Sequence, residues 1–74
     1  MRWFVELTAN GRSEAEEHNN LNSAKVAFKR GKKLFLNLAE MTPDLKVSGS
    51  ITQFDGKNEK IVDYFDNSSE TIRK

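Results

Sequence analysis

Leu21–Met41 (LNSAKVAFKRGKKLFLNLAEM) decides the fold. Ala24, Ala27, Phe28, Gly31, Leu34, Phe35 and Leu38 recur at the i, i+3, i+4, i+7 spacing of an amphipathic helix. Asn22 or Ser23 can cap its start, with Leu21 ahead as a hydrophobic staple. The Thr42-Pro43 pair ends it, because a residue before proline is driven out of the α region. Gly31 costs a helix interior about 1 kcal/mol relative to alanine, but on the packed face it lets the backbone approach a sheet closely. A rival parse stops the helix at Gly31 and makes residues 32–39 a strand, since Leu34, Leu36 and Leu38 also alternate. The Leu, Ala, Lys and Glu content and the lack of β-branched residues favour the unbroken helix.

The flanking segments read as strands that this helix must cover. Arg2–Ala9 (RWFVELTA) puts Trp3, Val5, Leu7 and Ala9 on one face and Arg2, Phe4, Glu6 and Thr8 on the other. Asn10-Gly11 marks a turn or loop exit, and residues 12–20 (RSEAEEHNN) are the most polar stretch. Residues 10–20 are therefore expected to be an exposed polar loop. Residues 45–54 (LKVSGSITQF) form a second strand and residues 60–65 (KIVDYF) a third, joined by a hairpin turn at Asp55-Gly56-Lys57-Asn58. With a two-residue loop, Val62 and Tyr64 join the face of Val47 and Ile51, while Ile61, Asp63 and Phe65 join that of Phe54. A three-residue loop with a bulge swaps the two sets. Residues 67–74 read as a polar, flexible tail. The expectation is one α+β domain over residues 1–74, in the order β-α-β-β. It has a three-stranded, mostly antiparallel sheet with one helix packed on one face.

Composition narrows the chemistry. A chain of 74 residues buries roughly 60% of its unfolded surface, which leaves little room for a deep enclosed active site. Twelve basic and eleven acidic residues give a net charge of +1, which favours a folded domain over disorder. There is no cysteine, so disulfides, thiolate catalysis and sulfur-ligated metals are excluded. The start, MRWFVELTANGR, is charged at once, and no segment reaches 18 apolar residues. The chain reads as cytoplasmic and without a membrane span. His18 is the only histidine and reads as a solvated loop residue. Glu14, Glu16 and Glu17, and the pair Asp63 and Asp66, read as solvating charge, because acid–base work needs a sheltered cleft. Gly31-Lys32-Lys33 lacks the leading glycine and preceding strand of a phosphate loop. No catalytic residue, metal ligand or cofactor site emerges, and the expectation is a protein that is not an enzyme.

Two surfaces suggest binding instead. Lys25, Lys29, Lys32 and Lys33 point away from the apolar stripe and Arg30 flanks it, with no acidic residue between Lys25 and Asn37 to form relieving i, i+4 pairs. Val26 and Leu36 lie among them, so Val26, Lys29, Lys33 and Leu36 form a stripe suited to an acidic partner. That partner is a protein or protein–nucleic-acid complex with an acidic surface, or nucleic acid itself, contacted through its phosphates. On the two-residue-loop register, Phe4, Phe54, Ile61 and Phe65 face away from the helix. Such a patch suits a homodimer, another partner, or base stacking by Phe4, Phe54 and Phe65. Residues 10–20 or the tail, folded over that face, would instead cover it.

The layout of a polar linker running into Leu21-Asn22-Ser23-Ala24-Lys25, with Lys29 beyond, then a hairpin closing on Asp55-Gly56, resembles small phage and mobile-element proteins of strand–helix–hairpin form, including some anti-CRISPR proteins. The resemblance implies a compact non-catalytic binder that engages an effector complex and blocks its access to nucleic acid, in a host cytoplasm. It transfers no site residue.

Overall fold

Asn10 and Gly11 both have positive φ, 51° and 85°, the geometry of a type I′ hairpin turn. The twist of such a turn matches that of paired strands, so the chain reverses at once after β1 (Arg2–Ala9). The next strand, β2 (Arg12–His18), runs back along β1 from Ala9↔Arg12 to Trp3↔His18. The expected polar loop over residues 10–20 is thus largely a turn and a strand. Helix α1 (Leu21–Met41), β3 (Val47–Phe54) and β4 (Glu59–Asp66) complete the α+β fold of this computed structural model, which describes residues 1–67. The described strands form one four-stranded antiparallel sheet, ordered β2-β1-β3-β4, rather than the three-stranded sheet expected. β2 is an edge strand with only His18 partly covered, so its sequence has no apolar face to display. Its charges suit an edge that must not recruit another chain.

The helix is unbroken through Gly31, which removes the parse that ended there. Its N-cap is Asn20, two or three residues ahead of the expected position. The Asn20 side chain accepts from the Ser23 N–H at 3.1 Å, so Leu21 is the first helical residue. At the far end the Thr42 N–H donates to the Leu38 carbonyl at 2.9 Å. The core joins Val5, Val47, Ile51 and Phe65 from the sheet to Ala24 and Phe28 from the helix. Phe28 and Phe65 meet edge to face, ring centres 5.6 Å apart.

Phe65 reaches that core because of a bulge. The β3–β4 pairing runs Phe54↔Glu59, Gln53↔Lys60 and Thr52↔Ile61, then resumes at Ile51↔Asp63, leaving Val62 as an extra residue. One inserted residue reverses the facing of everything beyond it. Ile61 therefore faces outward as expected on the two-residue-loop register, while Asp63 and Phe65 turn to the helix side and Tyr64 turns outward. Phe65 is 6% exposed and is no part of an outer face.

Two glycines make room for one leucine. Leu7 pairs with Gly49 across β1 and β3, and a Cβ on Gly49 would meet Leu7 Cδ2 at 2.8 Å as well as the Phe65 ring. A Cβ on Gly31 would meet the same side chain, with Leu7 Cδ2 at 3.0 Å. The helix thus approaches the sheet over Leu7, the close contact that the position of Gly31 predicts. Asn67 closes the described chain. Its Oδ1 accepts from Val47 N–H and its Nδ2 donates to the Leu45 carbonyl, both at 2.9 Å. Residues 68–74, the rest of the expected flexible tail, lie outside the described residues.

Candidate binding surfaces

The helix lysines gather on one flank. At 3.6 residues per turn, Lys25, Lys29 and Lys32 share a ridge at i, i+4, i+7, and Lys33 stands next to it. Lys25, Lys29 and Lys32 line a shallow depression of about 370 Å³ with Phe28 and Asp63. The bulge is what brings Asp63 to this side of the sheet. Among the described residues no salt bridge engages Lys25, Lys29, Arg30, Lys32 or Lys33. Arg30 stands three residues before Lys33, on the side of the ridge away from Lys32. Val26 is exposed as expected, at 54%. Leu36 is not part of that stripe: it is half-buried and packs against the core.

Three other apolar residues are exposed where the heptad-like spacing did not place them outward. Leu34, Leu38 and Met41 form an i, i+4, i+7 ridge on the other flank, because the buried line runs through Ala24, Phe28 and Gly31. That line continues through the half-buried Phe35 and Ala39. A helical wheel centred on Phe28 and Phe35, rather than on the mean of all apolar residues, would have found it.

β2 tilts the charge of that second flank. Glu14 and Glu16 project on the helix side of the sheet and line a shallow cavity of about 190 Å³ with Val5, Leu7 and Ala27. His18 is no solvated loop residue: its side chain is 15% exposed. Nε2 donates to Glu16 Oε1 at 2.8 Å, and Nδ1 lies 2.9 Å from Ser23 Oγ, joining the end of β2 to the first turn of α1. Among the described residues no group of three or more His, Asp or Glu could hold a metal ion, and no helix is long and apolar enough to cross a membrane.

The sheet face away from the helix follows from the register. Arg2, Phe4, Glu6 and Thr8 lie beside Ser13, Ala15 and Glu17 on one side and Ser48, Ser50, Thr52 and Phe54 on the other. β4 adds Glu59, Ile61, Tyr64 and Asp66. Phe4 and Phe54 are partly covered, Ile61 and Tyr64 more than half exposed. No described segment crosses this face, so residues 10–20 do not cover it. Arg2 pairs with Glu17 at 3.2 Å. The Tyr64 hydroxyl donates to Asp66 at 2.7 Å, and this bond to a carboxylate holds the phenol above its ordinary 10.0. In the β3–β4 turn, Asp55 accepts from the N–H groups of Asn58 and Lys57, which holds its carboxyl below the ordinary 3.8.

Charge is sorted by layer. The helix carries five cations and one acid, Glu40, an excess of four positive charges. The outer sheet face carries Arg2 against Glu6, Glu17, Glu59 and Asp66, an excess of three negative charges. A net charge of +1 for the whole chain hides both. Compared with protein-family models, curated proteins and solved structures, the chain matches none of them.

Proposed function

We propose that this chain is a non-catalytic binding module that docks an acidic macromolecular partner on the lysine flank of α1. One observation carries the reading: four lysines gather on one flank with no salt bridge to any described residue, beside a sheet whose opposite face is acidic. Clustered like charges, faced by Asp63 alone among the described acids lining their depression, cost stability where they stand, and a partner of opposite sign relieves them. The shallow depressions suit surface contact better than enclosed chemistry.

The test is NMR titration with polyglutamate, a probe carrying carboxylates alone. Amide shifts are expected around Lys25, Lys29, Lys32 and Lys33 and not on the outer strand positions, and Lys29→Glu/Lys33→Glu should abolish them. Shifts confined to the sheet, or none at low salt, would overturn the reading. A second surface is favoured by Phe4, Phe54, Ile61 and Tyr64, which share the outer face that no described segment crosses. It would serve a homodimer or a second partner, read by light scattering with and without Tyr64→Glu.

A further inference from the structure

We infer that the acidic partner is duplex nucleic acid, held by its phosphate backbone without regard to sequence. This rests on the lysine flank being a binding surface at all, as proposed above. The chemistry of that flank then selects among acidic partners.

Protein interfaces have apolar, aromatic-rich centres from which lysine is depleted, whereas nucleic-acid interfaces are far more polar and positive. The flank offers Lys25, Lys29, Lys32 and Lys33, and its one exposed apolar neighbour is Val26, since Leu36 packs into the core. An apolar centre for a protein interface is therefore missing. Lys25, Lys29 and Lys33 repeat every four residues, a rise of about 6 Å per step along the axis. Ammonium groups at that pitch can follow successive phosphates as point charges.

Base recognition is sparse on the same flank. Reading a base edge calls for Arg, Asn or Gln at the groove, and the row of Lys25, Lys29 and Lys32 holds none of these; Asn37 stands one turn beyond Lys33, at the end of the row, and Arg30 stands beside Lys33 at its outer edge. Binding single strands calls for exposed aromatic platforms beside the cations. Here the aromatics lie elsewhere: Phe28 is buried, Trp3 and Phe35 are half-buried against the core, Trp3 with its Nε1 donating to Gln53, and Phe4, Phe54 and Tyr64 lie across the sheet. The acids Glu6, Glu17, Glu59 and Asp66 surround those outer aromatics and would repel a phosphate chain. Phe65 is buried and cannot stack. What remains is contact with a backbone whose bases are already paired.

The experiment is fluorescence anisotropy of labelled DNA and RNA duplexes of two unrelated sequences, and of the matching single strands, across a salt series. Polyglutamate serves as a competitor. We expect both duplex sequences to bind equally, with a logarithmic salt slope of about −3 to −4, because each phosphate neutralised on a duplex contributes about −0.9. Lys29→Glu/Lys33→Glu, checked for folding by circular dichroism, should weaken all duplexes alike and cut the slope by about 2. Phe4→Ala/Phe54→Ala should bind duplex unchanged. Tighter binding of single strands, dependence on sequence, a flat salt response, or loss of binding in the phenylalanine variant would each overturn the inference. If polyglutamate shifts the lysine amides but no duplex binds at low salt, the inference fails and the proposed function stands. If neither binds, both fail.

Discussion

Asn20 shows how much one side chain can decide. It ends the β2–α1 junction, its Oδ1 takes the Ser23 N–H, and its carbonyl accepts from both the Ala24 N–H and the Ser23 hydroxyl. Asn20→Ala should cost about 1 kcal/mol, typical for a lost N-cap. For a domain this size that lowers the melting temperature by roughly 4–8 °C, measurable by thermal circular dichroism. Asp55 gives a prediction in pH. Its folded carboxyl sits below the ordinary 3.8 because two backbone N–H groups bond the charged form. Its contribution to stability is therefore present above that value and lost as pH falls through the lowered one. A carboxyl-carbon NMR titration should place its midpoint below 3.8, and a midpoint at or above the ordinary value would show that the turn does not hold it. Neither interaction was legible in the sequence at residue resolution. Asn20 is one of two adjacent asparagines, and Leu21 after it reads as a staple ahead of a later cap, so the sequence points to Asn22 or Ser23 instead.

Among the elements, the helix was the most legible because its period repeats over five turns and no strand pattern competes at that length. β2 was the least legible. Its partner supplies the hydrogen bonds and only His18, at its end, is partly buried, so period-two alternation, the usual trace of a strand, never had to be written. The Asn10-Gly11 pair was the one available signal, since both residues accept positive φ and together favour a hairpin. The facing of β4 stayed open between two registers for a different reason: a bulge, here at Val62, has no signature in composition, yet it reverses which residues face the core. It decides the lysine flank's surroundings, by turning Asp63 toward it, and the core, by delivering Phe65. Phe65→Ala should cost about 3–5 kcal/mol, as for a buried phenylalanine, and Phe4→Ala no more than about 1 kcal/mol, both by urea denaturation. Equal costs would mean that the facing of β4 is wrong. The glycines rank in the same way. Gly49→Ala meets the buried Phe65 ring and the Glu6 carbonyl at 3.1 Å, so a loss of about 1–3 kcal/mol is expected. Gly31→Ala meets the Leu7 side chain alone, with Cγ at 3.2 Å, and no backbone atom, and it gains about 1 kcal/mol of helix propensity, so it should be the milder of the two.

At the scale of the molecule, the two layers carry opposite signs, and overall charge describes neither. Lys29→Glu/Lys33→Glu and Lys46→Glu/Lys57→Glu change net charge by the same amount, the first on the helix and the second in loops. On a cation-exchange column at pH 7 the helix pair should elute much earlier than the loop pair. Matching elution would mean that net charge alone governs contact. The thickness of the fold explains the expectation. The shortest dimension is 19 Å, while electrostatic influence in physiological salt decays over about 8 Å. A polyanion approaching the helix is therefore largely blind to the acids behind the sheet, and meets what is in effect a small, strongly basic body. Dilute salt lengthens that reach until both layers are felt together, and the molecule then behaves as a weakly charged dipole that a charged rod can rotate before it touches. The same chain would thus be captured in two regimes: locally adhesive in a cell-like medium, and aligned from a distance, helix leading, when ions are scarce.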